Sequence, residues 1–278
     1  MSIQWFPGHM TKAREVIAET MSSVDVVIEV LDARMPAASE NPLVAELRRD
    51  KPRVVVLSKS DLADPATTKR WIAWFEGGPH TAVFATEIKR HAEARARVPE
   101  LCRKVARSQN PNKVLRAMIV GVPNVGKSTL INVMLGRKVA KVGDEPAVTK
   151  SKQQVVLPNG IVLTDHPGLT WPKMEDPTKA LLLALGGAIP DSAIDYETVG
   201  LFAAKLLGER WPDRLHARYK LTEIPGSASD TLTAIGRKRG ALRTGGLVDL
   251  HKAADVLVHD VRAGALGRLS FEGPPTSP

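Results

Sequence analysis

Two hydrophobic periods alternate along the first two thirds of this chain. Met10, Ala13, Val16, Ile17 and Met21 recur at helical spacing and predict a helix over Met10–Met21. Val24–Leu31 (VDVVIEVL) is a strand-like run that ends at Asp32-Ala33-Arg34. Pro36 and Pro42 bracket a loop, and Val44–Arg49 predicts a short helix. Arg53–Leu57 is apolar almost without interruption, the signature of a parallel strand covered on both faces. Pro65–Phe75 reads as a helix and Thr81–Ala85 as a third strand. Lys89–Arg116 holds nine Lys/Arg against two Glu and predicts a helix plus a linker centred on Asn110-Pro111-Asn112. Val114–Val120 is a strand, and a helix begins at Ser128 and runs to Leu135. Gln153–Leu157 and Ile161–Thr164, joined by Pro158-Asn159-Gly160, form a hairpin pattern. Beyond Pro172 the period is helical to about Arg262. No internal repeat is visible, and the tail Gly273–Pro278 is expected to be disordered.

Strands alternating with helices predict an α/β fold, a mainly parallel sheet with helices on both faces. The helical last hundred residues predict a second, all-helical domain. The expected division is 1–175 and 176–278, with a linker near 108–113 inside the first part.

Composition narrows the class. The chain has 278 residues, of which 43% are hydrophobic but only 4% aromatic, so Val, Leu, Ile and Ala must fill the core. No apolar run is long enough for a membrane span, and the N-terminal residues show no signal-peptide pattern. One cysteine, Cys102, excludes an internal disulfide framework and suits a cytoplasmic protein. The balance of 39 basic to 30 acidic residues favours a polyanionic partner without identifying one.

The chemistry is concentrated where strands end. Gly121–Ser128 (GVPNVGKS) follows a strand and opens a helix, as G-x-x-x-x-G-K-[ST] phosphate loops do. Its backbone N–H groups around Asn124, Val125, Gly126 and Thr129 are expected to cradle phosphates. Lys127 neutralises the β- and γ-phosphates and the Ser128 hydroxyl ligates Mg²⁺. About forty residues on, Asp165-His166-Pro167-Gly168 ends the hairpin. This D-x-x-G fits a Mg²⁺-linked aspartate, Asp165, and a glycine, Gly168, whose N–H meets the γ-phosphate. Thr149, between the two motifs, could offer its hydroxyl to the same ion; a solvated loop threonine fits the local sequence nearly as well.

One further motif lies upstream. Ser58-Lys59-Ser60-Asp61 follows a buried strand and has the form [N/T/S]-K-x-D. The Asp61 carboxylate can accept from N1–H and the N2 amino group of guanine, a donor pair that adenine lacks. The Lys59 stem can pack along the base. Ala85-Thr86 ends another strand and is a further base-contacting candidate. Alone, SKSD is a common tetrapeptide; beside a phosphate loop and D-x-x-G it points to GTP or GDP. Base-reading segments then precede phosphate-binding ones. A parallel sheet permits this order, because its ligand site collects loops from strand ends however the chain visits them. The linker at Asn110–Lys113 is where a conventional order would have been rejoined.

These residues resemble the circularly permuted GTPases, and in particular the ribosome biogenesis GTPase A (RbgA or YlqF) family with its mitochondrial relatives. The resemblance spans nearly the whole chain. It rests on Ile3–Met10 (IQWFPGHM), Leu31–Pro36 (LDARMP), Pro123–Asn132 (PNVGKSTLIN) and Asp165–Lys173 (DHPGLTWPK), and on Gly245–Asp249 and Gly267–Glu272 (GRLSFE). It implies a cytoplasmic GTPase acting late in maturation of the large ribosomal subunit. Such a protein docks on the precursor particle and its rRNA in the GTP state and is released after hydrolysis, with no membrane or DNA partner. It also implies a helical C-terminal domain on rRNA, and a K⁺ ion held partly by Asn124. The position after D-x-x-G is Leu169, which cannot orient water as the glutamine of Ras-like enzymes does. The resemblance implies that His9 serves instead. Two departures stand out: His166 replaces the usual threonine, and Ser58 replaces asparagine, lowering nucleotide affinity by about 1 kcal/mol for one lost hydrogen bond. A nucleotide-gated RNA-binding protein with negligible turnover is the alternative, and a P-loop kinase or ATPase a third reading.

Overall fold

The computed structural model describes residues 10–87, 91–106, 114–136, 153–165 and 176–276. His9, Thr149, His166, Gly168, Leu169 and the linker near 108–113 lie outside them, and Asp165 is described by its backbone alone.

The elements run α1 (Met10–Ser23), β1 (Val26–Asp32), α2 (Pro36–Ser39), α3 (Pro42–Arg48), β2 (Arg53–Ser58), α4 (Pro65–Glu76), β3 (Thr81–Ala85), α5 (His91–Val105), β4 (Leu115–Val120), α6 (Lys127–Leu135), β5 (Gln153–Val156) and β6 (Ile161–Asp165). The helical part follows as α7 (Pro177–Gly186), α8 (Tyr196–Arg210), α9 (Pro212–Tyr219), α10 (Ala228–Arg239) and α11 (Leu250–Arg262). The expected loop between Pro36 and Pro42 holds a single helical turn, α2. Its Ser39 hydroxyl donates to the Met35 carbonyl and accepts from the Asp32 N–H. Asn41 caps α3 by accepting from the Leu43 N–H at 2.9 Å.

The six strands form one sheet in the order β3-β2-β1-β4-β6-β5. All neighbours are parallel except β5, which pairs antiparallel with β6 as the hairpin pattern required. This is the expected α/β class. Every residue of β1 and β2 is buried. On one face Trp71 and Phe75 of α4 pack with Leu31, Val55 and Leu57. Beside them Ile17 and Met21 of α1 and Val44 of α3 pack with Val27, Met118 and Val120. Val54 and Val56 point the other way and are equally buried; α5, which also packs on α6, lies against strands β1 to β3. Even the buried Glu29 of β1 is held inside this sheet by Arg53 at 3.2 Å.

The sheet reverses direction between β1 and β4. From β1 the chain steps outward to β2 and β3; from β4 it steps the other way to β6 and β5. Ligands of open α/β sheets bind at the carboxyl ends of the strands beside such a switch point.

The chain divides into two compact units, Met1–Pro177 with Ser270–Pro278, and Thr178–Leu269. In the helical unit Gly200 of α8 sits where a Cβ would fall 2.4 Å from the Cβ of Ala254, so α8 and α11 pack backbone to backbone. Asp260 collects Arg218 and the Tyr219 hydroxyl, at 2.5 and 2.8 Å. Along α11, Ala254, Leu257 and Val261 are buried, so that stripe is core.

The expected domain 176–278 needs one correction: its end belongs to the first unit. The Phe271 N–H donates to the Arg34 carbonyl at 2.8 Å, and Ser270 Oγ accepts from the Asp64 N–H at 3.1 Å. Glu272 accepts from the Ala38 N–H through its carboxylate and from Trp71 Nε1 through its carbonyl. The segment is too short for any period to announce it. Truncation after Leu269 should remove these bonds and expose the Phe271 pocket. Set against the entropy of ordering three residues, the first unit should lose about 1–2 kcal/mol. Chemical denaturation followed by tryptophan fluorescence measures this; an unchanged midpoint would mean that the returning segment contributes nothing.

Candidate nucleotide site

The carboxyl ends of β1, β2, β3, β4 and β6 carry, in turn, Asp32, Ser58, Ala85, Val120 and Asp165. All but the β1 end are followed at once by a segment that the sequence marks as functional.

Gly121 begins the loop after β4. A Cβ there would lie 2.5 Å from the Val30 carbonyl oxygen of β1, and φ is +153°, so only glycine lets the loop leave so close to its neighbour. Asn124 adopts a left-handed conformation, φ +54°. Gly126 (φ +107°) precedes α6, and no side chain caps that helix N-terminus. The positive end of its dipole favours an anion at this end. Lys127 is buried, and its Nζ donates to the carbonyls of Gly121 (2.9 Å) and Val122 (2.8 Å). The ammonium lies folded over its own loop. Ser128 and Thr129 occupy the first turn behind it.

The base-reading candidates are fastened to this loop. Ser58 Oγ bonds the Val125 carbonyl at 2.6 Å and the Leu31 carbonyl at 3.0 Å. Serine at this position thus still ties β2 to the phosphate loop. Lys59 takes up φ +55°, a strained value for a residue with a Cβ. The Ser60 N–H donates to the Thr86 carbonyl at 3.2 Å, and the Thr86 N–H to the Leu57 carbonyl at 2.9 Å. SKSD and Ala85-Thr86 are therefore one hydrogen-bonded unit. Asp61 Oδ1 is buried with no hydrogen-bond partner. A buried carboxylate oxygen in that state costs free energy unless a donor arrives.

Asp165 closes β6 in register with Ile119, two residues before Gly121. Among the described residues no cluster of three or more His, Cys, Asp or Glu is placed to hold a metal ion.

Sequence reasoning missed Asp32 and Arg34 as parts of this site. Arg34 donates through Nε and Nη2 to both carboxylate oxygens of Asp32, at 2.9 and 2.7 Å, and Lys59 Nζ reaches Asp32 Oδ2 at 3.0 Å. Burial pushes the Asp32 carboxyl upward, but Arg34 and Lys59 outweigh it and hold the group well below the usual carboxylate range. The signal in the sequence was a charged pair at the end of an apolar strand. Cys102 is buried, its thiol pushed up to about 12, and takes no part.

A mainly parallel sheet with a phosphate loop at its switch point, and an [N/T/S]-K-x-D loop on the far side of β1, defines a P-loop GTPase in circularly permuted order. Comparison with known proteins agrees. Residues 116–188 match the family model described as 50S ribosome-binding GTPase. Ribosome biogenesis GTPase A of Bacillus cereus is 42% identical over 281 residues, covering 99% of this chain and 95% of that protein. The protein of the same name from Thermotoga maritima is 32% identical over 98% of this chain and 95% of its own length. The structure of GNP-bound YlqF from T. maritima superposes with a TM-score of 0.65 at 30% identity, covering 95% of this chain and 98% of that one. A GDP-bound YlqF structure gives 0.66 at 29% identity over 93% and 99%. The chain belongs to the ribosome biogenesis GTPase A family. It binds guanine nucleotide and is a GTPase.

Proposed function

We propose that this GTPase is an assembly factor for the large ribosomal subunit in the cytoplasm. It binds the precursor particle and its rRNA in the GTP state and leaves after hydrolysis. The names of its relatives support a ribosomal role. Among the described residues no helix is long and apolar enough to cross a membrane. The observation that carries its nucleotide-binding part is the tie between Ser58 and Val125, which binds the strand of SKSD to the phosphate loop despite their inverted order.

In this reading Asp61 accepts from the guanine N–H groups, Lys59 lies along the base, and Ser58, Ser60, Ala85 and Thr86 shape its pocket. The N–H groups of Asn124 to Thr129 and the Lys127 ammonium hold the phosphates. Ser128 and Asp165, with Thr149, hold Mg²⁺, which supplies positive charge beside the phosphates when bound. Gly168 senses the γ-phosphate, Asn124 helps to hold K⁺, and His9 orients the attacking water in place of a glutamine. The basic runs Lys89–Arg116 and Arg237–Arg239 with Arg243 face rRNA.

Cosedimentation with large-subunit precursors tests this directly. The chain should pellet with the particle in a GTP analogue and stay in the supernatant in GDP. Equal pelleting in both would remove the cycle. Hydrolysis measured in K⁺ with and without large subunits separates the assembly GTPase from a nucleotide-gated RNA binder with negligible turnover. In the same assay, full stimulation of a folded His9→Ala chain would take His9 out of the mechanism.

A further inference from the structure

We infer that Asp32 and Arg34 are positioning residues for guanine recognition, holding the Lys59 side chain in place before the base arrives. The inference rests on the assignment of Lys59 and Asp61 to the base.

Three features of the structure carry it. Asp32 and Arg34 are 3% and 2% exposed, and their two-pronged pairing leaves the carboxylate in one fixed orientation. Oδ2 of that carboxylate also receives Lys59 Nζ at 3.0 Å, so the lysine is anchored at its tip. The backbone around the pair is fastened as well. The Arg34 N–H bonds Asp32 Oδ1, the Ala33 N–H bonds the Ser58 carbonyl, and the Arg34 carbonyl accepts from Phe271.

The need for such an anchor follows from the lysine itself. Its stem has four rotatable bonds, and ordering it on binding would consume most of what contact with a base can contribute. A lysine already held by Asp32 presents its methylene stem at no further entropic cost, which is preorganisation. Arg34 in turn keeps Asp32 from turning away, and the Asp61 charge adds to that of Asp32 in keeping Arg34 charged. In the order Asp61, Arg34, Asp32, Lys59 the charges of this edge alternate in sign. Of the carboxylate oxygens on this edge, Asp61 Oδ1 is buried without a hydrogen-bond partner.

A double-mutant cycle on GDP affinity, read by competition with a fluorescent guanine nucleotide, tests the inference. Asp32→Asn should weaken GDP about tenfold in the otherwise unchanged chain. In a Lys59→Ala background the same change should have almost no further effect, because its route to the base is gone. Asp32→Glu keeps a negative charge beside Arg34 while moving it by one methylene. It should give a smaller loss that also vanishes in the Lys59→Ala background, and it stands in if Asp32→Asn does not fold. Losses that simply add in the double variants would overturn the positioning role while leaving Lys59 at the base. A Lys59→Ala chain that binds GDP as tightly as the parent would overturn the base assignment itself, and the positioning role with it.

Discussion

Replacing Asp61 by alanine should cost the protein at least a hundredfold in GDP affinity and leave GDP and ADP bound about equally. Two hydrogen bonds from the guanine N–H groups to a carboxylate are lost, each worth about 1.5–3 kcal/mol because one partner is charged. At about 1.4 kcal/mol per factor of ten, even the lower end reaches two decades. The ligand-free protein should not suffer in parallel. Asp61 Oδ1 is already buried without a partner, so its removal relieves a desolvation cost. The Asp61→Ala chain should unfold at the same denaturant concentration as the parent, or a higher one. Asp61→Asn is the sharper variant. Its amide can donate to a carbonyl at C2, so it should favour a xanthine nucleotide over GDP. Titration with GDP, ADP and XDP measures all three effects. A GDP affinity within threefold of the parent in Asp61→Ala would place the guanine edge elsewhere.

Lys127→Ala should abolish measurable GTP hydrolysis, with a loss of at least a hundredfold, and weaken GTP much more than guanosine. The ammonium is buried and held by the carbonyls of Gly121 and Val122. Phosphate oxygens compete for the same three donors with full negative charge, so the lysine is expected to exchange neutral acceptors for charged ones when nucleotide binds. The interaction grows with the charge on the phosphates, which is why it separates GTP from guanosine. Lys127→Arg should fail almost as badly. A planar guanidinium cannot reproduce a point charge inside a loop whose carbonyls close to 2.8 Å. Single-turnover hydrolysis and binding of the GTP–guanosine pair give the readout. Turnover within tenfold of the parent for Lys127→Ala would deny the lysine its phosphate role.

The candidates Asp61 and Lys127 come from the amino-acid sequence alone, because phosphate and base recognition use short contiguous signatures at strand ends. Gly121 to Ser128 announces itself through spacing. SKSD does so once its neighbours are known. The pair Asp32–Arg34 gives no such sign: its function depends on Lys59, which lies on another strand and reaches Asp32 only through the fold. The return of Ser270–Glu272 to Ala38, over a separation of 234 residues, is equally invisible in any local pattern.

What the sequence determined by itself was the set of elements and the chemistry at their ends. Side-chain period, buried apolar runs and glycine spacing are local, and each reports on a few residues' own conformational and solvation preferences. What only the tertiary structure decided was which ends meet. The order β3-β2-β1-β4-β6-β5 puts β1 between the strand that carries SKSD and the one that feeds the phosphate loop, and so pairs its terminal Asp32 with Ser58. That order is set by long-range pairing in a sheet whose strands β1, β2 and β4 are each apolar enough to fit beside several others, so no local pattern can encode it.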